Sequence, residues 1–115
     1  MYSISKWFQF SASHSLDLPP EHPCSRVHGH NYKVQIVLAA SGLNQNGFII
    51  DFGELRVLGD WLDSELDHQH LNDVLDFNPT SENLAKYIFD WCAERWSVLQ
   101  VRVSETEKTW AEYAR

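Results

Sequence analysis

HGHNYKVQIVLAA, residues 28–40, reads with a period of two. His28, His30, Tyr32, Val34, Ile36 and Leu38 fall on one side of an extended chain; Gly29, Asn31, Lys33 and Gln35 fall on the other. Successive side chains of a strand point to opposite faces, so this is a strand with one face to bury. The stretch before it repeats the pattern. Over residues 2–13, Phe8, Phe10 and Ala12 alternate with Gln9, Ser11 and Ser13, and the same count carries His14 onto the apolar face. Between the two strands, residues 15–27 hold Pro19, Pro20 and Pro23 and read as a loop.

Downstream the period changes. SGLNQNG at 41–47 is a turn-rich connector, and Phe48–Ile50 leads out of it. Leu55, Leu58, Leu62 and Leu66 then recur at helical spacing, which predicts a helix over 52–66. Pro79-Thr80-Ser81-Glu82 offers a capping hydroxyl and an early acid, so a second helix starts there. Its face carries Leu84, Ile88, Trp91 and Arg95, broadened by Tyr87 and Cys92. Residues 98–107 return to strand, with Val101 and Val103 on one face, and a short strand covers 109–114. The order β-β-α-α-β-β predicts an α+β domain, a four-stranded antiparallel sheet with both helices on one side.

Composition narrows the function. At 115 residues the chain is one domain, 1–115, with 43% hydrophobic residues to fill a core. No apolar run reaches the ~20 residues that span a bilayer, and no signal peptide is expected at the N-terminus. The net charge of −7 has the wrong sign for a generic nucleic-acid binder. Two cysteines make no disulfide framework, so a cytoplasmic location is expected. Six histidines in so short a chain stand out.

His28-Gly29-His30 places two imidazoles on one face, and His14 reaches that face from the preceding strand. Three neutral imidazoles suit a catalytic zinc with an open position; the alternative is three separate histidines bonded to backbone. Cys24 lies in the proline-rich loop four positions before His28. A thiol beside a cation can become a thiolate and move protons; otherwise it is an inert, half-exposed side chain. Cys92 sits on an apolar helix face and reads as core. In Asp67-His68-Gln69-His70 a carboxylate can orient the neighbouring imidazole, or the run is simply a polar helix end. Counting by twos from Val101 and Val103 puts Glu105 on the apolar face, where a carboxylate needs donors unless the strand has already emerged into solvent.

Six ordered stretches extend over nearly the whole chain: FSASHSL at 10–16, C-x3-HGHNY at 24–32, GFIIDFGEL at 47–55, LDHQHLN at 66–72, NPTSENLA at 78–85 and VSETE at 103–107. Together they resemble the 6-pyruvoyltetrahydropterin synthase/6-carboxytetrahydropterin synthase family. The resemblance implies the tunnelling fold, in which three subunits close a barrel and two trimers stack as a homo-hexamer. It implies zinc held by His14, His28 and His30, with Cys24 and the Asp67–His68 pair as the acid–base groups. It also implies that Glu105 anchors the pterin, with Thr80 and Glu82 in the stretch that lines the pocket from a neighbouring subunit. His70 receives no role.

The short C-x3-HGH gap is similar to the bacterial carboxy-forming branch, which serves queuosine and other 7-deazapurine pathways. The implied reaction converts 7,8-dihydroneopterin triphosphate to 6-carboxy-5,6,7,8-tetrahydropterin, acetaldehyde and triphosphate. A pyruvoyl-forming enzyme, another pterin side-chain lyase, or a zinc- or pterin-binding module of the same fold remain the alternatives. Lys6, Arg26 and Lys33 are candidate cations for the triphosphate. The chain departs from the family's aromatic-R-G-E tail: it ends EYAR, with Tyr113 and Arg115 as partial replacements.

Overall fold

The computed structural model describes residues 1–115. Strands β1 (Tyr2–His14) and β2 (His28–Ala40) form the long antiparallel hairpin that the alternation predicts. Their register runs without interruption from Tyr2 opposite Ala40 to His14 opposite His28. Helix α1 (Arg56–Glu65), strand β3 (Gln69–His70), the one-turn helix α2 (Leu71–Val74) and helix α3 (Ser81–Ala93) follow. Strands β4 (Val98–Ser104) and β5 (Ala111–Ala114) close the chain. The sheet order is β3-β1-β2-β4-β5.

The four long-range antiparallel strands agree with the sequence pattern, and three boundaries differ from it. The expected helix over 52–66 starts as a 3-10 turn, Phe52–Leu55, and becomes α-helical only at Arg56. Asp51 Oδ1 accepts from the Gly53 amide at 2.7 Å and so caps the tight turn rather than an α-helix. The strand expected over 98–107 ends at Ser104, and the final strand begins at Ala111 rather than 109. Beyond these boundaries there is one added strand, β3, two residues paired parallel to β1 where the sequence pattern shows no strand.

The alternating apolar faces meet the two long helices. Phe10, Tyr32, Val34, Ile36, Leu38, Val101 and Val103 from the sheet are buried with Leu55, Leu58, Leu62 and Leu66, and with Leu84, Ile88 and Cys92 of α3. Burial pushes the Cys92 thiol up to about 12, which fits a core side chain. Trp61 of α1 stacks on Trp91 of α3, centroids 4.5 Å apart, and ties the helices to each other. Arg95 continues the apolar face of α3 because its guanidinium lies 3.7 Å from the Trp91 ring centroid.

The molecule measures 56 × 25 × 24 Å, with a radius of gyration of 15.3 Å. A compact chain near this length has about 13 Å. The excess comes from the hairpin, whose thirteen-residue strands set the long axis.

Leu62 is fully buried between the helices and the sheet, whereas Asp63 beside it is exposed. Leu62→Ala is expected to cost about 2–5 kcal/mol through lost burial and a residual cavity. Asp63→Ala should stay within about 0.5 kcal/mol. Thermal unfolding of both variants checks the contrast; equal melting points would show that α1 does not carry the core.

Candidate metal centre and acid–base site

Register brings the three histidines together. His14 lies opposite His28, and His30 lies opposite Ala12, so all three project from the same face at one end of the hairpin. Their ring centroids are 4.6, 5.1 and 4.9 Å apart, and their ligand nitrogens all lie within 4.8 Å of one another.

Neighbouring carbonyls fix the tautomers. His14 Nδ1 lies 2.8 Å from the Pro79 carbonyl oxygen, and His28 Nδ1 lies 2.7 Å from that of Arg26. A carbonyl only accepts, so both Nδ1 atoms carry the proton and both Nε2 atoms present lone pairs. Those two Nε2 atoms face each other at 3.0 Å. Two lone pairs at that distance repel unless a cation lies between them or a proton is shared. The third ring, His30, has a buried Nε2 with no hydrogen-bond partner. Glu105 Oε2 lies 3.3 Å from it without the alignment of a hydrogen bond.

Electrostatics favour the neutral, ligating form of His14 and His30. Burial lowers the His14 pKa, against the raising effects of the Pro79 carbonyl and Glu105. Burial also lowers that of His30; Glu105 opposes it and His28 adds to it. Tyr32 lies under the cluster with its hydroxyl 3.1 Å from His14 Nδ1. Burial, then the Glu105 charge, pushes its phenol well above the ordinary range, so it stays protonated. Three imidazoles with converging nitrogens, one of them orphaned and buried, fit a divalent metal such as zinc.

Asp67 and His68 stand beside this group, on the strap that leads into β3. Asp67 Oδ1 accepts from the Ser11 amide at 2.8 Å, and Asp67 Oδ2 accepts from His68 Nδ1 at 2.7 Å. The Ser11 amide and then the His68 ring hold the Asp67 carboxyl below its usual range. His68 takes a left-handed backbone, φ 58°, and is the one non-glycine residue with positive φ. Its ring is exposed on a cleft of about 460 Å³, shared with His30, Asn31, Ser13 and His70.

Glu105 follows β4 with the parity that Val101 and Val103 predict, although the strand has ended. Its Oε1 accepts from Ser81 Oγ at 2.7 Å. One cavity of about 350 Å³ joins it to Glu82, Thr109 and Trp110. A second, of about 430 Å³, joins it to His30 and Lys33.

Two of the expected site residues stand apart. Thr80 Oγ1 accepts from the Asn83 amide at 3.1 Å and caps α3. Cys24 sits half-buried in the 3-10 turn Pro23–Ser25, its amide donating to His22 Nδ1 at 3.1 Å. It lies outside the three-histidine group and lines neither the His68 cleft nor the Glu105 cavities. Among the candidate cations, Lys33 borders the Glu105 cavity, while Lys6 reaches the Phe52 carbonyl at 3.5 Å. The residues that sequence reasoning missed are partners: Pro79 and Arg26 through their carbonyls, Tyr32, Ser81, Ser11 and Ser13.

A helix-backed sheet with three imidazoles at the end of its first hairpin, a carboxylate against them and an Asp–His pair alongside, defines a tunnelling-fold protein with a candidate metal centre. The chain belongs to the 6-pyruvoyl tetrahydropterin synthase family, whose pattern matches residues 3–115. An Archaeoglobus fulgidus protein, provisionally named 6-carboxy-5,6,7,8-tetrahydropterin synthase, is 39% identical over 107 residues, 92% of this chain and 90% of that one. The Bacillus subtilis protein named 6-carboxy-5,6,7,8-tetrahydropterin synthase is 32% identical over 126 residues, covering 97% and 84%. The structure of Caenorhabditis elegans 6-pyruvoyl tetrahydropterin synthase superposes with a TM-score of 0.87 over 99% of this chain and 95% of that one. At 24% identity that likeness establishes the fold.

The Asp67 geometry has a pH signature. A carboxyl with a depressed native pKa adds stability above its unfolded pKa, about 3.9, and loses it as pH falls through the native value. Asp67→Asn is therefore expected to melt below wild type at pH 7, and the gap should close in acid. A gap of the same size at pH 2 would show that the carboxylate charge is not its source.

Proposed function

We propose that this chain is a zinc-dependent 6-carboxy-5,6,7,8-tetrahydropterin synthase. It takes 7,8-dihydroneopterin triphosphate and one water to 6-carboxytetrahydropterin, acetaldehyde and triphosphate, and so serves queuosine and related 7-deazapurine synthesis in the cytoplasm. The observation that carries this reading is the convergence of the His14, His28 and His30 nitrogens against Glu105 and beside Asp67–His68. The names of the relatives from Archaeoglobus fulgidus and Bacillus subtilis support the product, and no helix is long and apolar enough to cross a membrane.

His14, His28 and His30 hold the metal, which when bound supplies Lewis-acid polarisation of the substrate's side-chain oxygens. Glu105 accepts from the ring N–H and exocyclic amine of the pterin. A carboxylate has about four lone-pair sites, so the Ser81 bond leaves room for both. His68, with Nδ1 held by Asp67, presents Nε2 to the cleft and moves a proton there. Cys24 moves protons on another side of the substrate, from the loop that precedes β2. Thr80 and Glu82 lie on the segment that completes a neighbouring subunit's pocket.

The proposed assembly is a hexamer of two trimers. β1 is paired on its outer side only at Ala12 and Ser13, and β5 has one neighbour, so the sheet has two open edges. Closing a barrel removes such edges.

His28→Ala should abolish the binding of about one zinc per chain, read by elemental analysis; full zinc content in that variant would overturn the ligand assignment. Cys24→Ala should keep its zinc and lose roughly 10²-fold or more in turnover, as for a proton-transfer group. Glu105→Ala should weaken pterin binding about 10- to 100-fold with zinc unchanged, because two buried donors lose their acceptor. Mass spectrometry of the products from dihydroneopterin triphosphate tests the reaction itself. A pyruvoyl product, or no product from zinc-loaded protein, would reject it.

A further inference from the structure

His70 lies outside the chemistry just assigned, yet it closes a clasp around the residue that chemistry needs most. His68 sits in the left-handed region, φ 58°, which L side chains with a Cβ disfavour. Such a residue relaxes unless both flanks are held. Its upstream flank is held at one point of β1: the Ser11 amide donates to Asp67 Oδ1 at 2.8 Å, and the His68 amide donates to the Ser11 carbonyl at 2.6 Å. Downstream it has β3, a two-residue strand that pairs Gln69 with Ala12 and His70 with Ser13, and the next anchor is Asn72, whose Oδ1 accepts from the Ser15 amide at 2.9 Å and whose Nδ2 donates to the Ser15 carbonyl at 2.8 Å. So short a ladder is marginal alone.

A side-chain bond adds a hold closer to His68 than Asn72 is. Ser13 Oγ and His70 Nδ1 lie 2.9 Å apart across that ladder, in a part-buried position. Ser13 is also the residue before His14, so whatever is fixed to Ser13 is in register with the three imidazoles. The His68 ring has no other restraint: 83% exposed, it is held only by Asp67 Oδ2. His68, His70 and His30 all border the 460 Å³ cleft.

We propose that His70 is a positioning residue. Its Nδ1 bond to Ser13 pins the downstream end of the Asp67–His70 strap to β1, and this keeps the His68 ring in place beside the three-imidazole group. The functional half rests on the assignment of His68 as the proton-transfer group; the structural half does not.

The test uses the full chain with four variants and two readouts. The first is hydrogen exchange at the Ser11 and His68 amides, measured without substrate. His70→Ala should speed both about tenfold, the order expected for one lost hydrogen bond, with the core amide of Val34 unchanged. The second is turnover of dihydroneopterin triphosphate, where kcat should fall about tenfold while KM and zinc content hold. His70→Asn places an amide where Nδ1 stood and should restore both readouts. His70→Gln places it where Nε2 stood and should restore neither. Ser13→Ala removes the same bond from the other side and should reproduce His70→Ala, which also covers failure of a His70 variant to fold. Unchanged exchange in His70→Ala and Ser13→Ala would overturn the proposal. So would rescue by Gln but not Asn, since His70 would then act through Nε2 on the substrate. If wild type turned over no pterin while exchange responded as stated, the assigned reaction would fail and the clasp would stand.

Discussion

The site depends on the register of one hairpin. β1 and β2 pair so that Phe8 faces Val34, Phe10 faces Tyr32 and His14 faces His28. The loop of residues 15–27 is too long to dictate that register by turn geometry. The side chains dictate it: Phe10 stacks on Tyr32 with centroids 4.8 Å apart and planes 13° from parallel, and both rings are buried. A slip of one residue would turn every apolar side chain of β1 to the opposite face and take His14 away from His28 and His30. Hydrophobic register and ligand geometry are therefore the same constraint, since the sheet cannot form its core in this pairing without also gathering the three imidazoles.

Burial then sets the terms for each imidazole. His14 is fully buried, so its Nδ1–H must find an acceptor, and it finds the Pro79 carbonyl. Pro79 directly precedes Thr80, the residue that caps α3. The start of α3 is thus tied to the orientation of a candidate ligand more than sixty positions earlier in the chain. Pro79-Thr80-Ser81 contributes three times over: a carbonyl to His14, a cap to the helix and a hydroxyl to Glu105. Helix packing against the sheet consequently fixes the tautomer of His14 and one oxygen of Glu105.

Period-two alternation made the hairpin and the histidine trio legible, because a strand repeats the same geometric statement many times. Leucine spacing did the same for α1. What stayed illegible has no period. β3 is two residues long, and its pairing follows from the strap that precedes it. The carbonyls of Pro79 and Arg26 belong to the backbone, which every residue carries alike. The early end of β4 was missed because Glu105 keeps strand parity one residue beyond the last strand residue, so counting by twos gave the right direction for the side chain and the wrong boundary for the strand. Thr80 shows another side of this: the cap was legible, and a hydroxyl that accepts from the Asn83 amide still has its O–H to donate.

The division of labour between one chain and several follows from where these contacts fall. All three imidazoles come from one hairpin, and the carbonyls that orient His14 and His28 come from the same chain. The candidate ligand set is therefore complete within one chain. The surroundings are not. The cavity that joins Glu105 to Glu82 is open, and Trp7 and Trp110 lie exposed on the sheet face away from the helices, centroids 5.0 Å apart. Beneath them, the Arg102 guanidinium lies 4.3 Å from the Trp110 ring centroid. Two open sheet edges and an exposed tryptophan pair are features that a lone subunit leaves to water and a closed barrel would cover. In the proposed assembly, each subunit would thus carry the whole candidate ligand set, while the walls of the pocket around it would come from its neighbours.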